Sequence, residues 1–157
     1  MIDLTLLITA LSVLFGTVVG FLLFLMYRKN YKPVVVVVDI IKDVLEKTPV
    51  VVILMILYYI IFGQSDFSGV FVSVVGFSLM FAFSLVGTLK VGVMAVDKGQ
   101  REASLAMGFT DVQSFFKVIL PQAAKHFLPI YKGQIVSLLK DTAIVGYIAV
   151  QDLTKIS

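Results

Sequence analysis

Cysteine is missing from this chain of 157 residues, which excludes a disulfide framework, thiolate chemistry and any Cys-based metal site. A single histidine, His126, excludes a metal site built from histidines alone. Charge is scarce as well, with 15% Asp, Glu, Lys and Arg against 59% hydrophobic residues, whereas an ordinary soluble domain carries about 25% charged residues. Mean hydropathy of +1.03 places such a chain in a bilayer rather than in water. The first residues, Met1-Ile2-Asp3, lack the basic lead-in of a signal peptide, so the apolar run that follows reads as a retained span. No G-x4-G-K loop ending in Ser or Thr occurs, so the chain has no phosphate-cradling loop of that type of its own. The net charge of +3 comes from cations that flank apolar runs instead of gathering on one soluble face, which argues against a nucleic-acid partner.

What is present is a series of apolar runs separated by short polar segments. Residues 4–27 form the first, long enough to cross a hydrocarbon core of about 30 Å. Within it Ser12, Gly16 and Gly20 recur at four-residue spacing, a pattern that lets a second helix approach closely. Arg28, Lys29 and Lys32 follow with no acid among them. By the positive-inside rule that end lies in the cytoplasm and the N-terminus outside. Pro33 breaks the chain, and over residues 34–47 the apolar positions Val34, Val37, Val38, Ile41, Val44 and Leu45 share one stripe opposite Asp39, Lys42, Asp43 and Glu46. That spacing predicts an amphipathic helix at the membrane interface. Thr48-Pro49 is a helix-start signal, and residues 49–62 form a second, short span. Residues 63–69 carry no Lys or Arg and read as an external turn. A third span covers residues 70–90.

Residues 97–125 interrupt this apolar pattern with a charged segment. One short helix runs through Glu102 to Met107, and Gly108 stands where a left-handed residue would end it. Thr110-Asp111-Val112-Gln113 has the spacing of a capping box that starts a second helix. Val112, Phe115, Phe116, Ile119 and Leu120 form one apolar stripe on that helix, and Pro121 is expected to perturb or end it. Such a helix–Gly–helix unit suits docking into a groove on a soluble partner. Residues 126–150 then form a fourth span containing Lys132, Lys140 and Asp141. Ionisable groups at that depth are costly, so they should face protein or water; Lys140, Asp141 and Thr142 are therefore candidates to line a translocation path. Snorkelling of Lys132, with a helix break at Lys140 and Asp141, is the other reading.

Residues Glu102-Ala103-Ser104 and Gly108, followed by Val118-Ile119-Leu120-Pro121, resemble the E-A-A-x3-G-x9-I-x-L-P loop of ABC-type importer permeases, closest to the polar amino-acid uptake branch. Ser104 replaces the second Ala and Val118 the Ile. Val96-Asp97-Lys98-Gly99-Gln100 is similar to the lead-in of that loop, Leu120-Pro121-Gln122-Ala123 to its exit, and Leu138-Leu139-Lys140-Asp141-Thr142 to a downstream L-L-K-x-T segment. Two departures stand out. The family's R-G-T-P element is Glu46-Lys47-Thr48-Pro49 here, and its A-Y-x-x-E stretch aligns with Phe83-Ser84-Leu85-Val86-Gly87, without the Tyr and the Glu. The second departure puts the substrate class in question more than the transporter class.

The resemblance implies an all-α polytopic membrane protein: a bundle of about four spanning helices with a cytoplasmic coupling loop, as in type I importers. It implies a permease subunit that imports amino acids, of the polar class, and forms half of a paired pore in a bacterial inner membrane. The coupling-loop residues would be Gly99, Gln100, Glu102, Ala103, Gly108, Phe115, Phe116, Leu120 and Pro121. Implied partners are an ABC ATPase subunit, a second permease subunit of the same or a different kind, an extracytoplasmic solute-binding protein that some relatives carry as a fusion, and membrane lipid. No cofactor, metal or catalytic residue is implied, since ATP hydrolysis would belong to the partner. The chain stops at Ser157, where such permeases continue into a last span, so a fragment or truncated product is expected. An ion-coupled carrier using Lys140 or Asp141 is the alternative, although such carriers need paired intramembrane acids. A membrane assembly protein without transport activity is a third reading.

Overall fold

The computed structural model describes residues 2–61 and 69–156, and every regular element in them is helical. Helix α1 spans Ile2–Arg28 and turns at Asn30, whose φ of 60° is left-handed backbone that asparagine tolerates better than most side chains. Helix α2, Lys32–Lys47, carries Pro33 in its first turn. The proline therefore begins this helix, because its missing N–H would be unsatisfied there in any case. Helix α3, Val50–Ile56, continues as a π-helical turn over Leu57–Ile61. The turn expected over residues 63–69 lies, apart from Gly69, outside the described residues. Helix α4 is Gly69–Met94, the loop helices are α5, Lys98–Ala106, and α6, Asp111–Ser114, and α7 runs Leu120–Ile156.

Two of the described helices, Asp3–Arg28 and Val70–Met94, are long and apolar enough to cross a membrane. They pack on each other along the small residues of α1. A Cβ on Gly16 would stand 2.9 Å from the Phe81 Cβ, and one on Gly20 would stand 2.8 Å from the Ala82 carbonyl oxygen. Ser12, the third member of the series, is fully buried. The four-residue spacing thus does what it predicts, letting the backbones of α1 and α4 approach where larger side chains would hold them apart.

The bundle has two buried clusters. One, toward the Arg28 end of α1, gathers Phe24, Tyr27, Val38, Leu85, Val86, Leu89, Phe115 and Ile119; the other gathers Ile8, Leu54, Phe77, Phe81 and Leu138. Several polar groups inside are matched to partners, while the Ser12 and Ser78 hydroxyls and Gln134 Oε1 are buried without one. The Tyr27 hydroxyl donates to Asp39 Oδ1 at 3.2 Å and accepts from Lys90 Nζ at 3.0 Å, which ties α1, α2 and α4 at one point. Thr17 and Tyr131 share a hydrogen bond of 2.6 Å between α1 and α7. Gln134 Nε2 reaches Ser84 Oγ at 2.7 Å and Thr88 Oγ1 at 2.6 Å, joining α7 to α4. The Tyr27 node is charge-assisted at both ends, and the other two fastenings are neutral hydrogen bonds, each stronger where water is excluded.

The apolar positions of α2 divide between the bundle and its outside. Val38 is buried, while Val37, Ile41 and Val44 are exposed together with Val36 and Ile40. Only one edge of the apolar stripe meets the bundle; the remainder is a bare apolar band of the kind that lies in a membrane interface.

Candidate functional site: an anchored helical loop and a polar cavity

The loop is built by local capping before any tertiary contact. Asp97 caps α5 by accepting from the Gly99 N–H at 3.2 Å, and α5 closes at Gly108, whose φ of +96° is open to glycine and strained for other residues. The Phe109 N–H returns to the Ser104 carbonyl at 3.2 Å, satisfying a carbonyl at the helix end. Helix α6 opens with the complete capping box: Thr110 Oγ1 accepts from the Gln113 N–H at 3.2 Å, and Gln113 Oε1 accepts from the Thr110 N–H at 3.0 Å.

Two contacts hold α5 to α6, and a third ties α5 to the start of α7. Ser104 Oγ donates to the Arg101 carbonyl at 2.8 Å and so accepts from the Ser114 hydroxyl, both serines being buried. Arg101 pairs with Asp111 at 3.0 Å on the exposed side, a contact worth about 0–1 kcal/mol because water screens it. At the base Gln122 Nε2 donates to Gln100 Oε1 at 3.1 Å, joining the lead-in to the exit.

The apolar stripe expected on the second helix is divided. Phe115 and Ile119 are buried, and Phe115 packs on Phe24 with its ring beneath the Arg28 guanidinium, 4.1 Å from the centroid. Phe115 therefore roots the loop in α1 and is not part of an outer face. Phe116 and Val112 remain exposed, as do Leu105 and Met107. Gly99, Gln100, Glu102, Ala103, Gly108 and Pro121 are exposed too, and Leu120 is half-buried. The outer face thus comprises Glu102, Ala103, Met107, Val112 and Phe116; Met107 is the most open of its large apolar side chains at 78%, and the half-open Phe116 also meets the Phe21 ring of α1 at 6.1 Å between centroids.

Pro121 does not end the second helix. Between α6 and α7 the chain widens into a π-helical turn over Phe115–Ile119, where the Leu120 N–H donates to the Phe115 carbonyl, and helical structure continues to Ile156. The proline sits at the second position of α7, and the wider turn before it removes the clash with a carbonyl four residues back. Helix α6, the π-helical turn and α7 form one continuous helical rod.

Beside this rod lies a cavity of about 580 Å³ between α2, α4 and α7, lined by Lys42, Glu46, Phe81, Ser84, Gln134 and Asp141 among others. Of the three path candidates only Asp141 lines it. Thr142 is buried, its hydroxyl donates to the Leu138 carbonyl of its own helix at 2.7 Å, and it is absent from the lining of this cavity. Lys140 is exposed and absent from the lining. Sequence reasoning missed Lys42 and Glu46, assigned there to a water-facing stripe, and Gln134, an amide within an apolar run that itself signals a polar neighbourhood. Among the described residues no group of three His, Asp or Glu side chains is placed to hold a metal ion.

Comparison with known proteins sets this geometry in a family. The chain is 31% identical to the arginine transport system permease protein ArtQ of Bacillus subtilis strain 168, over 96% of this chain and 70% of that protein. It is 32% identical to the L-cystine transport system permease protein TcyL of the same organism, over 96% of this chain and 66% of that protein. A putative glutamine transport system permease protein, GlnP of Rickettsia felis, is 29% identical over 96% and 70%. The chain thus spans roughly two thirds of the length of these relatives. Among solved structures, one described as an amino acid ABC transporter with histidines superposes with a TM-score of 0.80 and 31% identity, covering 92% of this chain and 68% of that one. The pattern of the binding-protein-dependent transport system inner membrane component family matches residues 12–156, and the chain belongs to that family.

Proposed function

We propose that this chain is the permease subunit of an ABC importer for amino acids, contributing half of a paired pore and receiving the stroke of a separate ATPase through residues 97–125. The observation that carries the reading is the exposed α5–Gly108–α6 unit, fastened to α1 through Phe115 and continuous with α7. A displacement of its outer face has two direct routes into the bundle, the mechanical requirement for coupling. Amino acids are the solute class because the named relatives are transport permeases for arginine, cystine and glutamine.

In this reading α1, the α3 segment, α4 and α7 are the four spans, α2 lies at the cytoplasmic interface, the N-terminus is outside and the loop is in the cytoplasm. A solute-binding protein delivers the solute, and a second permease subunit completes the pore. ATP hydrolysis belongs to the ATPase.

The test is capture of the ATPase by the permease, together with hydrolysis in reconstituted membranes. Glu102→Ala removes a carboxylate from the outer face and should weaken capture by about 1–3 kcal/mol if that contact is buried in the complex. Gly108→Val forces a β-branched residue toward φ of +96° and should uncouple hydrolysis from uptake while the protein still inserts. Wild-type capture and uptake by both variants would show that the loop merely caps the bundle.

A further inference from the structure

Lys42 is half-buried on α2, and the end of its side chain lies directly on Gly87 of α4. A Cβ added to Gly87 would stand 2.6 Å from Lys42 Nζ and 2.7 Å from Cε. Only a residue without a side chain can seat the ammonium there. Lys42 has no ion-pair partner among the described residues, where Arg101–Asp111 is the one salt bridge. It borders a cavity that also presents Glu46 from α2 and Asp141 from α7.

We propose that the Lys42 ammonium, seated on Gly87, binds the carboxylate of the transported solute, and that Glu46 and Asp141 favour its ammonium group. The cavity, about 580 Å³, lies within the range of about 300–1,000 Å³ usual for small-molecule sites. Its charges of both signs suit an α-amino acid zwitterion better than an amine or an uncharged sugar. The inference rests on the permease reading and adds the residue pair that discriminates for a carboxylate.

Gly87→Ala is the informative variant. The atoms it displaces belong to the far end of a flexible side chain, so the protein should fold and melt as the wild type does while the ammonium moves off its seat. The permease, co-expressed with its ATPase and reconstituted in nanodiscs, is exposed in turn to each of the twenty radiolabelled L-amino acids. The wild type should retain at least one, with no competition from the decarboxylated amine of that acid. Lys42→Gln and Gly87→Ala should lower retention at least tenfold, and Lys42→Arg should stay within about threefold of wild type because a guanidinium also pairs with a carboxylate. Equal retention by wild type, Lys42→Gln and Gly87→Ala would overturn the assignment, as would full competition by the amine. Capture of the ATPase without retention of any labelled acid would overturn this assignment alone. Failure of the wild type to capture the ATPase would overturn the permease reading and this one with it.

Discussion

Ser104 stands where the permease loop pattern has alanine, and its hydroxyl is spoken for twice, donating to Arg101 and accepting from Ser114. Removing it leaves the Ser114 hydroxyl buried without its partner, at a cost of about 1–3 kcal/mol. We expect Ser104→Ala to lower the thermal midpoint in detergent, and Ser104→Ala/Ser114→Ala to recover part of the loss, because the orphaned group goes with its partner. A double variant that melts lower than the sum of the single changes would contradict this. At the same scale Gly133 offers a contrast with the packed glycines. Nothing lies within 4 Å of a Cβ placed on it, and it sits inside α7, where glycine is about 1 kcal/mol less favourable than alanine. Gly133→Ala should raise stability by about 0.5–1 kcal/mol, read as an upward shift in the same melting experiment.

Between elements the decisive contact is α1 on α4. Gly20→Val would press a branched side chain against the Ala82 backbone, which cannot yield as a lysine tip can, and overpacking of that kind typically costs about 1–3 kcal/mol. Its thermal midpoint should therefore fall well below that of Gly133→Ala, although both remove a glycine from a helix; equal midpoints would mean that α1 and α4 are not in close contact. This contact was legible in the sequence, since four-residue spacing of small residues has one geometric meaning on a helix. The caps at Thr110 and Gly108 were legible because capping is decided within a few residues, whereas the Asp97 cap, which starts α5 four residues before Glu102, was not read. The division of the second loop helix was not. Phe115 and Phe116 are adjacent and chemically alike, and which one turns inward depends on Phe24 and Arg28, about ninety residues earlier. Nor could periodicity show that Lys42, on the charged face of an amphipathic helix, meets a glycine on another helix. Polarity says that a residue avoids lipid, but it does not distinguish bulk water from a cavity.

For the whole molecule, the loop and the bundle must be tied before they can move together. Phe115→Ala would remove the ring between Phe24 and Arg28 and open a cavity, at about 3–5 kcal/mol for a buried phenylalanine. Spin labels at Met107 and on α1 should then show a broadened distance distribution; an unchanged one would mean that the loop is held by its own helices and not by α1. Topology is checked separately. Cysteines introduced at Met107 and at Ser65 should react with an impermeant reagent from opposite sides of the membrane, since the positive-inside rule puts the Arg28, Lys29 and Lys32 cluster and the loop cations on one side. Labelling of both from outside intact cells would reverse the assignment.

The π-helical turn over Phe115–Ile119 makes the direction in which the loop points a matter of residue count. One residue of an α-helix corresponds to about 100° of rotation, and a π-turn accommodates one residue beyond the regular winding. Because the wider turn absorbs that residue, deleting one there, such as Lys117, would let α6 wind into α7 as an ordinary α-helix with the outer face still in phase, whereas deleting one from the regular winding beyond it, such as Ala124, would swing that face about a quarter-turn around the rod. In this protein the phase of a helix, as much as the side chains it displays, determines which way a push is delivered.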